Sequence, residues 1–338
     1  MIPSLSDDLN QGERFMKLEP GINLQAHTPP RKGRNSTVPK RNFGCRLTNN
    51  LTLEGFEMVV LENELFRLAV LPGKGTDMIE LLHKPTDTDF MWWTALGLQP
   101  GNQNLSDFQS QYEGGWQEIF PNLAATHIHD GTKLDAYGEV SLVAWSHRTV
   151  CDMPEHVAVC FFVNLQTMPF RLEKTIHLRR GVPGFELEQR VINLSNVALY
   201  ADWGHHITFG EPFLVPGSRL ELPSNTRPEF TIPERGGTGG FEVLSDLTQG
   251  RYRVQHPDGI GLQLEWDLSV WKHLWFWRDF GGERAAPYFG KHFNIGLELF
   301  SSPPAETLNA NVAAGTALRF EPGQTRTAWL RFVVTDER

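Results

Sequence analysis

The sequence predicts an all-β protein made of antiparallel strands, and three observations support this fold class. The 338-residue chain combines 22 Phe and 10 Trp with 31 Gly and 22 Pro, and aromatic strands separated by glycine and proline are typical of β structure. Residues 170–193 and 327–334 alternate apolar and polar side chains with a period of two. No segment has a helical period over about 11 residues. We therefore expect two large packed sheets with few short helices.

The first half of the chain divides into a polar extension and the start of the sheets. Residues 1–50 are polar and irregular, and we expect them to form an N-terminal extension that packs on the main domain, residues 51–338. Residues 56–83 predict two short strands, a glycine-rich turn and a third strand. The β domain therefore starts close to Gly55.

The clearest element is a long hairpin with one solvent-exposed face. A similar strand lies near the C-terminal end of the sequence. A GVPG turn separates the two alternating strands of the hairpin, and on the first of them only Lys174 interrupts the apolar face. The apolar positions of the hairpin are Phe170, Leu172, Ile176, Leu178, Phe185, Leu187 and Val191, and those of the last strand are Ala328, Leu330, Phe332 and Val334.

Composition and charge exclude several classes of function. The net charge of -9 argues against nucleic acid as the main partner, because phosphate binding needs a basic face. No stretch approaches the roughly 18 apolar residues of a membrane helix, and the N-terminus has no basic segment followed by an apolar run, so we expect no signal peptide. Cys45, Cys151 and Cys160 form no close pair, which favours a reducing cytoplasm.

Two groups of histidines are the first candidates for chemistry. His205 and His206 lie side by side in WGHHITFG, and His127 and His129 form an HIH pair. On a strand the doublet would point to opposite faces and the HIH pair to one face. A metal site would combine one histidine of the doublet with the HIH pair and a carboxylate. The spacing does not require this, so we predict no metal, and a structural role in packing is the plain alternative.

A lone carboxylate and two aromatic segments are the next candidates. Glu298 lies in the otherwise apolar strand FNIGLELF, where desolvation would raise its pKa and suit a general base; the alternative is an outward-facing residue. YEGGWQEIFPN offers Trp116, Glu118 and Asn122, a mixture that suits the C–H faces and polar rim of a sugar, or else forms a turn with a packed Trp. In HLWFWRDFGG, Trp277 either stacks on a ligand or joins the core.

Taken in order, these segments resemble the galactose mutarotase-like family, the aldose 1-epimerases. The resemblance runs from about Phe56 to Val334 and is carried by the following stretches: GGWQEIFPN; MPFRLEKTIHL with FELEQRVINLSN; WGHHITFGEPFL; LWFWRDFGG with NIGLELF; and GTALRFEPGQTRTAWLRF. Each motif alone is weak, but their common order is fairly specific for the superfamily. The resemblance implies a large β-supersandwich with the site in a cleft across one sheet.

The resemblance also implies a reaction and the residues that perform it. In the family a glutamate acts as base on the anomeric hydroxyl and a histidine acts as acid toward the ring oxygen, so that the ring opens and recloses as the other anomer. Carried over, Glu298 is the base and His206 the acid, because Phe209 places His206 in the family register. The implied substrate-binding residues are His205, Trp116, Glu118, Asn122, Tyr137 and Trp277. The implied substrate is a free sugar or sugar derivative, and no cofactor is implied.

One departure keeps two other functions open. Related sequences often carry a histidine where this chain has Tyr137, and the unperturbed tyrosine pKa near 10 makes it a poor proton shuttle at neutral pH. One alternative is a carbohydrate-binding or regulatory protein without catalysis. The other is a different sugar isomerase, lyase or hydrolase, and hydrolysis would need Glu118 or Glu139 as a second carboxylate beside Glu298. The sequence determines neither the sugar nor the oligomeric state.

Overall fold

The computed structural model describes residues 43–99, 108–123, 125–284 and 288–338. Within these residues the chain forms 23 β-strands, one short α-helix and two 3₁₀ turns. In chain order the strands are β1 Arg46–Leu53, β2 Phe56–Glu62, β3 Phe66–Leu71, β4 Asp77–His83, β5 Thr88–Asp89, β6 Trp116–Ile119, β7 His127–His129, β8 Thr132–Leu134, β9 Ser146–Met153, β10 His156–Asn164, β11 Phe170–Arg179, β12 Gly184–Asn193, β13 Leu199–Ala201, β14 Gly204–Gly210, β15 Arg219–Glu221, β16 Glu229–Thr231, β17 Gly237–Leu244, β18 Arg251–Gln255, β19 Ile260–Trp266, β20 His273–Phe280, β21 Asn294–Phe300, β22 Leu318–Phe320 and β23 Thr325–Asp336. The helix α1 spans Leu308–Ala314, and the 3₁₀ turns span Lys84–Thr86 and Gln109–Gln111.

Two large antiparallel sheets hold most of these strands. The first has ten strands in the order β1-β2-β3-β4-β6-β14-β21-β20-β17, with β5 beside β4. The second has nine strands in the order β16-β15-β18-β19-β23-β12-β11-β10-β9. The short pairs β13–β22 and β7–β8 lie outside them. The predicted all-β supersandwich is confirmed.

The two sheets face each other across an aromatic core. Phe66 and Trp116 of the ten-stranded sheet meet Phe185 and Phe332 of the nine-stranded sheet, with ring centroids 5.7 Å apart for Phe66–Phe332 and 5.8 Å apart for Trp116–Phe185. Each of these side chains is buried. Burial of one such ring contributes about 1.5–3 kcal/mol, so the period-two alternation that places them inward is the main source of stability.

The predicted hairpin forms as β11 and β12, which pair from Phe170–Asn193 to His177–Glu186. Its apolar positions face the core and its polar positions are partly exposed. Lys174, which interrupts the apolar face of β11, is buried and 2% exposed. A buried ammonium requires an acidic partner, and its partner lies in the other sheet.

The predicted N-terminal extension falls mainly outside the described residues, which begin at residue 43. Strand β1 begins at Arg46, within the range predicted for the extension, and pairs with β2. No helix in the described part of the chain is long and apolar enough to cross a membrane.

Candidate active site

The middle of the ten-stranded sheet places the two neighbouring histidines on opposite faces. Strand β14 lies between β6 and β21, and His205 pairs with Glu118 on one side and with Leu299 on the other. His206 therefore lies beside Gln117 and Glu298. We call the face toward the nine-stranded sheet the core face and the opposite one the outer face.

His205 lies on the core face and is held there by two hydrogen bonds. The indole Nε1–H of Trp116 donates to His205 Nδ1 at 3.0 Å, so the ring proton lies on Nε2, which donates to Gln189 Oε1 of β12 at 2.8 Å. Complete burial lowers the pKa of His205 well below its usual value. This histidine is a neutral link between the two sheets.

Glu118 also lies on the core face, where it is the partner of the buried lysine. Lys174 Nζ and the indole Nε1–H of Trp203 each donate to its carboxylate at 2.9 Å. All three side chains that were expected to bind substrate, His205, Trp116 and Glu118, form hydrogen bonds between the sheets, and their binding role stays a prediction. These hydrogen bonds pair the buried charges between the two sheets, where an unpaired charge would be costly.

His206 and Glu298 meet on the outer face. His206 Nε2 lies 3.4 Å from Glu298 Oε1, and the side chains are only 11% and 5% exposed. Burial lowers the pKa of His206 to about 4 and raises the pKa of Glu298 well above its usual value. Both shifts have the same cause, since a low dielectric disfavours each charged form. Between the two pKa values the pair holds one proton in total.

The carboxylate of Glu298 owes its position to a glycine. Its Oε1 lies 2.4 Å from the point where a Cβ on Gly296 would be, and Trp277 Cβ lies 3.3 Å from the same point. Gly296 and Glu298 are two residues apart on β21 and share the outer face. The carboxylate therefore lies flat over the strand, toward Trp277.

Aromatic rings surround the pair. Measured to the ring of His206, the centroids lie at 4.9 Å for Tyr112, 5.9 Å for Phe108 and 6.3 Å for Trp277. The Tyr112 hydroxyl donates to Thr208 Oγ1 at 3.0 Å, which fixes its ring. This apolar surrounding is the source of the desolvation that shifts both pKa values.

Tyr137 lies on the outer face with these rings. Its ring centroid is 4.8 Å from that of Phe108, and burial, followed by the charge of Glu298, raises its pKa to about 12. It has a φ of 61°, a conformation that side chains rarely adopt. Asn122, another predicted binding residue, donates to the Asp135 carbonyl at 3.2 Å and so contacts the loop that carries Tyr137.

No second carboxylate faces Glu298 from the positions that the sequence suggested. Glu118 points to the core face, and Glu139 Oε1 accepts from the backbone N–H groups of Gln166 and Thr167 at 2.7 and 3.2 Å. A pair of carboxylates that flank a sugar is the requirement for hydrolysis by this route. These two glutamates do not meet it.

The HIH pair supports α1. His127 Nδ1–H donates to the Ala125 carbonyl at 2.7 Å, and its Nε2 accepts the N–H of Leu308 at 3.1 Å. His129 Nδ1 lies 2.5 Å from Asn309 Oδ1. The described residues contain no group of three or more His, Cys, Asp or Glu arranged for a metal ion. Both histidines satisfy polar groups at the start of a helix.

The outer face also holds a buried charged cluster that sequence reasoning missed. Lys74 Nζ donates to Asp77 Oδ2 at 2.5 Å and to Glu113 Oε2 at 2.6 Å, and all three side chains are at most 2% exposed. Asp77 precedes Met78, which pairs with Trp116, so Asp77 lies beside Gln117. Burial, followed by the charge of Asp77, raises the pKa of Glu113 to about 8. A polar row thus crosses β4, β6, β14 and β21.

Sequence reasoning also missed the remaining outer-face residues around the pair, namely Gln117, Gly296, Tyr112 and Phe108. A usable signal was present for two of them. Counting by two from Glu298 reaches Gly296, and the pairing of β14 with β6 brings Gln117 beside His206. Tyr112 and Phe108 lie in a loop, where no periodicity predicts a contact.

Among the comparisons with known proteins, only the comparison of structures found matches. A scan against models of protein families found no match, and a search of curated protein sequences also found none. Solved structures do match. A candidate aldose 1-epimerase from Klebsiella pneumoniae has a TM-score of 0.71 and 13% identity over 87% of this chain and 88% of its own. A galactose mutarotase-like protein from Clostridium acetobutylicum has a TM-score of 0.66 and 12% identity over 87% and 99%. A protein from Synechocystis has a TM-score of 0.65 and 18% identity over 86% and 100%.

Proposed function

We propose that this chain, which has the galactose mutarotase-like fold, is an aldose 1-epimerase that interconverts the anomers of a free sugar or sugar derivative. The observation that carries the proposal is the pair on the outer face, in which His206 Nε2 and Glu298 Oε1 lie 3.4 Å apart. Solved structures with this fold include candidate aldose 1-epimerases. The expected cytoplasmic location remains a prediction from the sequence.

The geometry of the pair suits the two atoms that must exchange protons. The ring oxygen and the anomeric hydroxyl are bonded to the same carbon, so an acid and a base that serve them must lie close together. Glu298 takes the proton of the anomeric hydroxyl, and His206 gives a proton to the ring oxygen. The C1–O5 bond breaks, the aldehyde rotates about the C1–C2 bond, and the reverse transfers close the ring with the other configuration. Such positioned transfers contribute about 100- to 10,000-fold.

The one proton of the pair has to lie on His206 when the sugar reacts. In the free protein, burial disfavours both charged groups. A bound sugar favours the charged pair, because its hydroxyls donate to the carboxylate and its ring oxygen accepts from the imidazolium. The charges also attract each other strongly at this short distance in a site of low dielectric. Each turnover returns the proton to its starting place, so no net proton transfer is needed.

The remaining outer-face residues provide for binding. Trp277 presents a flat ring beside the pair, which suits the C–H face of a pyranose. Tyr137 keeps its proton at neutral pH because its pKa is about 12, so it donates a hydrogen bond to the sugar and does not shuttle protons. The enclosing rings exclude water and strengthen the electrostatic interactions in the site.

The direct test follows freshly dissolved pure anomers to equilibrium by polarimetry, over a panel of hexoses, pentoses, deoxysugars and uronic acids. Wild type should accelerate the approach to equilibrium for at least one sugar. Glu298→Gln should reduce this rate to that of the uncatalysed reaction while circular dichroism shows a folded protein. Equal rates with and without wild type across the panel would refute the proposal for those sugars.

Tyr137 favours one alternative, a sugar-binding protein without catalysis on the same fold. A tyrosine with a pKa of about 12 cannot replace a histidine that protonates the sugar. Calorimetry separates the two functions. A binding protein would bind a sugar from the panel, would retain that binding in Glu298→Gln, and would not accelerate its anomerisation.

A further inference from the structure

A cleft of about 640 Å³ lies beside the proposed catalytic pair at the edge of the ten-stranded sheet. Residues of the paired strands β17 and β20 and of the segment after β20 line it, including Trp277, Asp279 and Tyr288 and several glycines of β17. Neither His206 nor Glu298 lines it. A cleft of this volume is in the range that holds a drug-sized ligand, which is larger than one hexose. When a sugar reacts at the pair, this cleft therefore stays open for a further part of the same ligand.

An aromatic surface connects the pair with the cleft. The ring centroid of Trp277 lies 6.3 Å from that of His206, 6.2 Å from that of Tyr288 and 6.0 Å from that of Trp92. Trp92 in turn lies 4.8 Å from the ring of His292. Rings of this kind offer extended apolar faces next to polar groups. The same arrangement suits the C–H faces of a sugar.

Three buried polar side chains, each with an atom unpaired within the described part of the chain, lie together next to the cleft, and Asp279 is the one of them that lines it. Asp279 Oδ1 accepts the Gly281 N–H at 3.0 Å, whereas Asp279 Oδ2, both amide atoms of Asn294 and Nδ1 of His292 have no hydrogen-bond partner among the described residues. The three side chains are 2%, 0% and 7% exposed, and His292 Nδ1 lies 4.0 Å from Asp279 Oδ2. Buried polar groups in folded proteins are normally paired, so this cluster points to a ligand that carries hydroxyl groups.

The cluster of Asp279, Asn294 and His292 lies at some distance from the catalytic pair, as the register of β21 shows. Asp279 pairs with Asn294, Trp277 with Gly296 and Trp275 with Glu298. Asn294 is four residues from Glu298, which is about 13 Å along a strand. This is longer than a pyranose ring with its hydroxyls. One monosaccharide with its C1 at the pair does not reach Asn294, but a second unit that follows it does.

The charge of the cleft indicates an uncharged second unit. Its one described arginine, Arg278, forms an ion pair with Glu242 and lies over the ring of Phe276 at 4.3 Å. Its charge is therefore already compensated, while the carboxylate of Asp279 faces the cleft. A phosphate or carboxylate on the ligand would meet a carboxylate in place of a free guanidinium. Neutral hydroxyls, in contrast, donate to Asp279.

We propose that Asp279, Asn294 and His292, together with Trp277 and Tyr288, form a second sugar subsite, so that the substrate is a reducing disaccharide or longer oligosaccharide of uncharged units. The inference rests on the proposed function for the placement of the reducing end at the pair. The second unit lies over Tyr288, next to the Trp277 ring that also contacts the reacting unit, and donates hydroxyl hydrogen bonds to Asp279.

The experiment compares a hexose with disaccharides that carry it at the reducing end: glucose with maltose, cellobiose and lactose, and mannose with mannobiose. Anomerisation is followed by proton NMR, and binding by calorimetry with wild type, Asp279→Asn and Tyr288→Leu. Asp279→Asn is nearly isosteric and keeps the acceptor for Gly281. The matched control is Asp130→Asn, at an aspartate whose side chain is 85% exposed.

For at least one disaccharide, kcat/KM should exceed that of its hexose about 10-fold or more. Asp279→Asn should lower the ratio of the two kcat/KM values about 10-fold, because a charge-assisted hydrogen bond becomes a neutral one, and Asp130→Asn should leave the ratio unchanged. Hexoses that react as well as every disaccharide, or an unchanged ratio in both Asp279→Asn and Tyr288→Leu, would overturn the inference. Disaccharide binding that depends on Asp279 without any anomerisation would support the subsite and refute the proposed function.

Discussion

At the scale of single residues, the properties of the site follow from burial on one face of one strand. His206 and His205 are neighbours in sequence, yet one faces Glu298 and the other Gln189. Both imidazoles have lowered pKa values through desolvation. Only His206 has a buried carboxyl group 3.4 Å away. The two histidines therefore differ in their neighbours: His206, the proposed acid, contacts a carboxyl group, and His205, the structural residue, does not.

Gly296→Ala tests how far catalysis depends on the position of the carboxylate. The new Cβ would lie 2.4 Å from Glu298 Oε1, so the carboxylate must move from its position beside His206. A displacement of about 1 Å costs about 100-fold in rate, and we expect a loss of kcat/KM of that size in a folded protein. The control is Gly261→Ala in β19, where a Cβ also first meets a side-chain oxygen, that of Gln255 at 2.5 Å. Equal activity in both variants would contradict the proposed role of Glu298.

The pH dependence of kcat/KM tests the account of one shared proton. Below the pKa of His206, about 4, both groups are protonated and no base is left. Above the pKa of Glu298, which burial raises well above its usual value, both groups are deprotonated and no acid is left. Stopped-flow polarimetry across this range should therefore give a bell-shaped profile. A profile that stays flat through both limbs would contradict the account.

The sequence predicts the candidate pair but does not show on which face of the sheet its neighbours lie. Glu298 and His206 follow from resemblance to a family, and strand alternation places them on one face. Trp116, Glu118 and His205 have the residue types of a sugar site, yet the same types also form a buried network. The partner of Glu118, Lys174, is 56 positions away in the chain. Only the packing of the two sheets distinguishes these uses.

At the scale of elements, four strands in register build a polar row on the outer face of the ten-stranded sheet. From β4 to β21 this row contains Asp77, Gln117, His206 and Glu298. Lys74 and Glu113 close its β4 end through ion pairs. The sequence predicts β2, β3 and β4 around a glycine-rich turn, and its period-two alternation predicts β11, β12 and β23; all six strands form. The row is not visible, because it depends on which strands become neighbours.

Glu113→Gln tests the protonation of the buried cluster. The pKa of Glu113 is about 8 in the folded protein against an ordinary value of 4.5. The folded state therefore keeps a proton that the unfolded state releases, and this contribution to stability, present below about 4.5, is lost as the pH rises to about 8. The glutamine of Glu113→Gln cannot ionise, so the free energy of unfolding of this variant minus that of wild type should increase as the pH rises between these limits.

Urea unfolding at a series of pH values from about 5 to about 9 measures this difference. Lys74→Met is the matched comparison, because it leaves two buried carboxyl groups without their cation and should cost about 3–5 kcal/mol. A difference between Glu113→Gln and wild type that does not change with pH would show that Glu113 is already ionised at low pH.

At the scale of the whole molecule, two antiparallel sheets position the polar row on the outer face, and a cleft lies beside it. Fold class and the long hairpin are predictable from aromatic, glycine and period-two patterns, whereas the supersandwich follows from the resemblance to a family. The cleft near Trp277 and the cluster of Asp279 and Asn294 are not, because loops and neighbouring strands create them. Local patterns determine each strand, whereas long-range pairing determines the site.

The histidine doublet gives the most direct test of the central claim, which is that the outer face of the ten-stranded sheet is the catalytic face. His206→Asn and His205→Asn change the same residue type at adjacent positions on opposite faces. For each variant, anomer exchange of the sugar found in the panel is measured by NMR at equal concentrations of folded protein, together with the free energy of unfolding.

We expect His206→Asn to lose at least about 100-fold in exchange rate with little change in stability. His205→Asn should keep its exchange rate per folded molecule and lose about 1–3 kcal/mol of stability, because Trp116 and Gln189 lose a buried partner. The reverse pattern, with exchange lost in His205→Asn and retained in His206→Asn, would contradict the account.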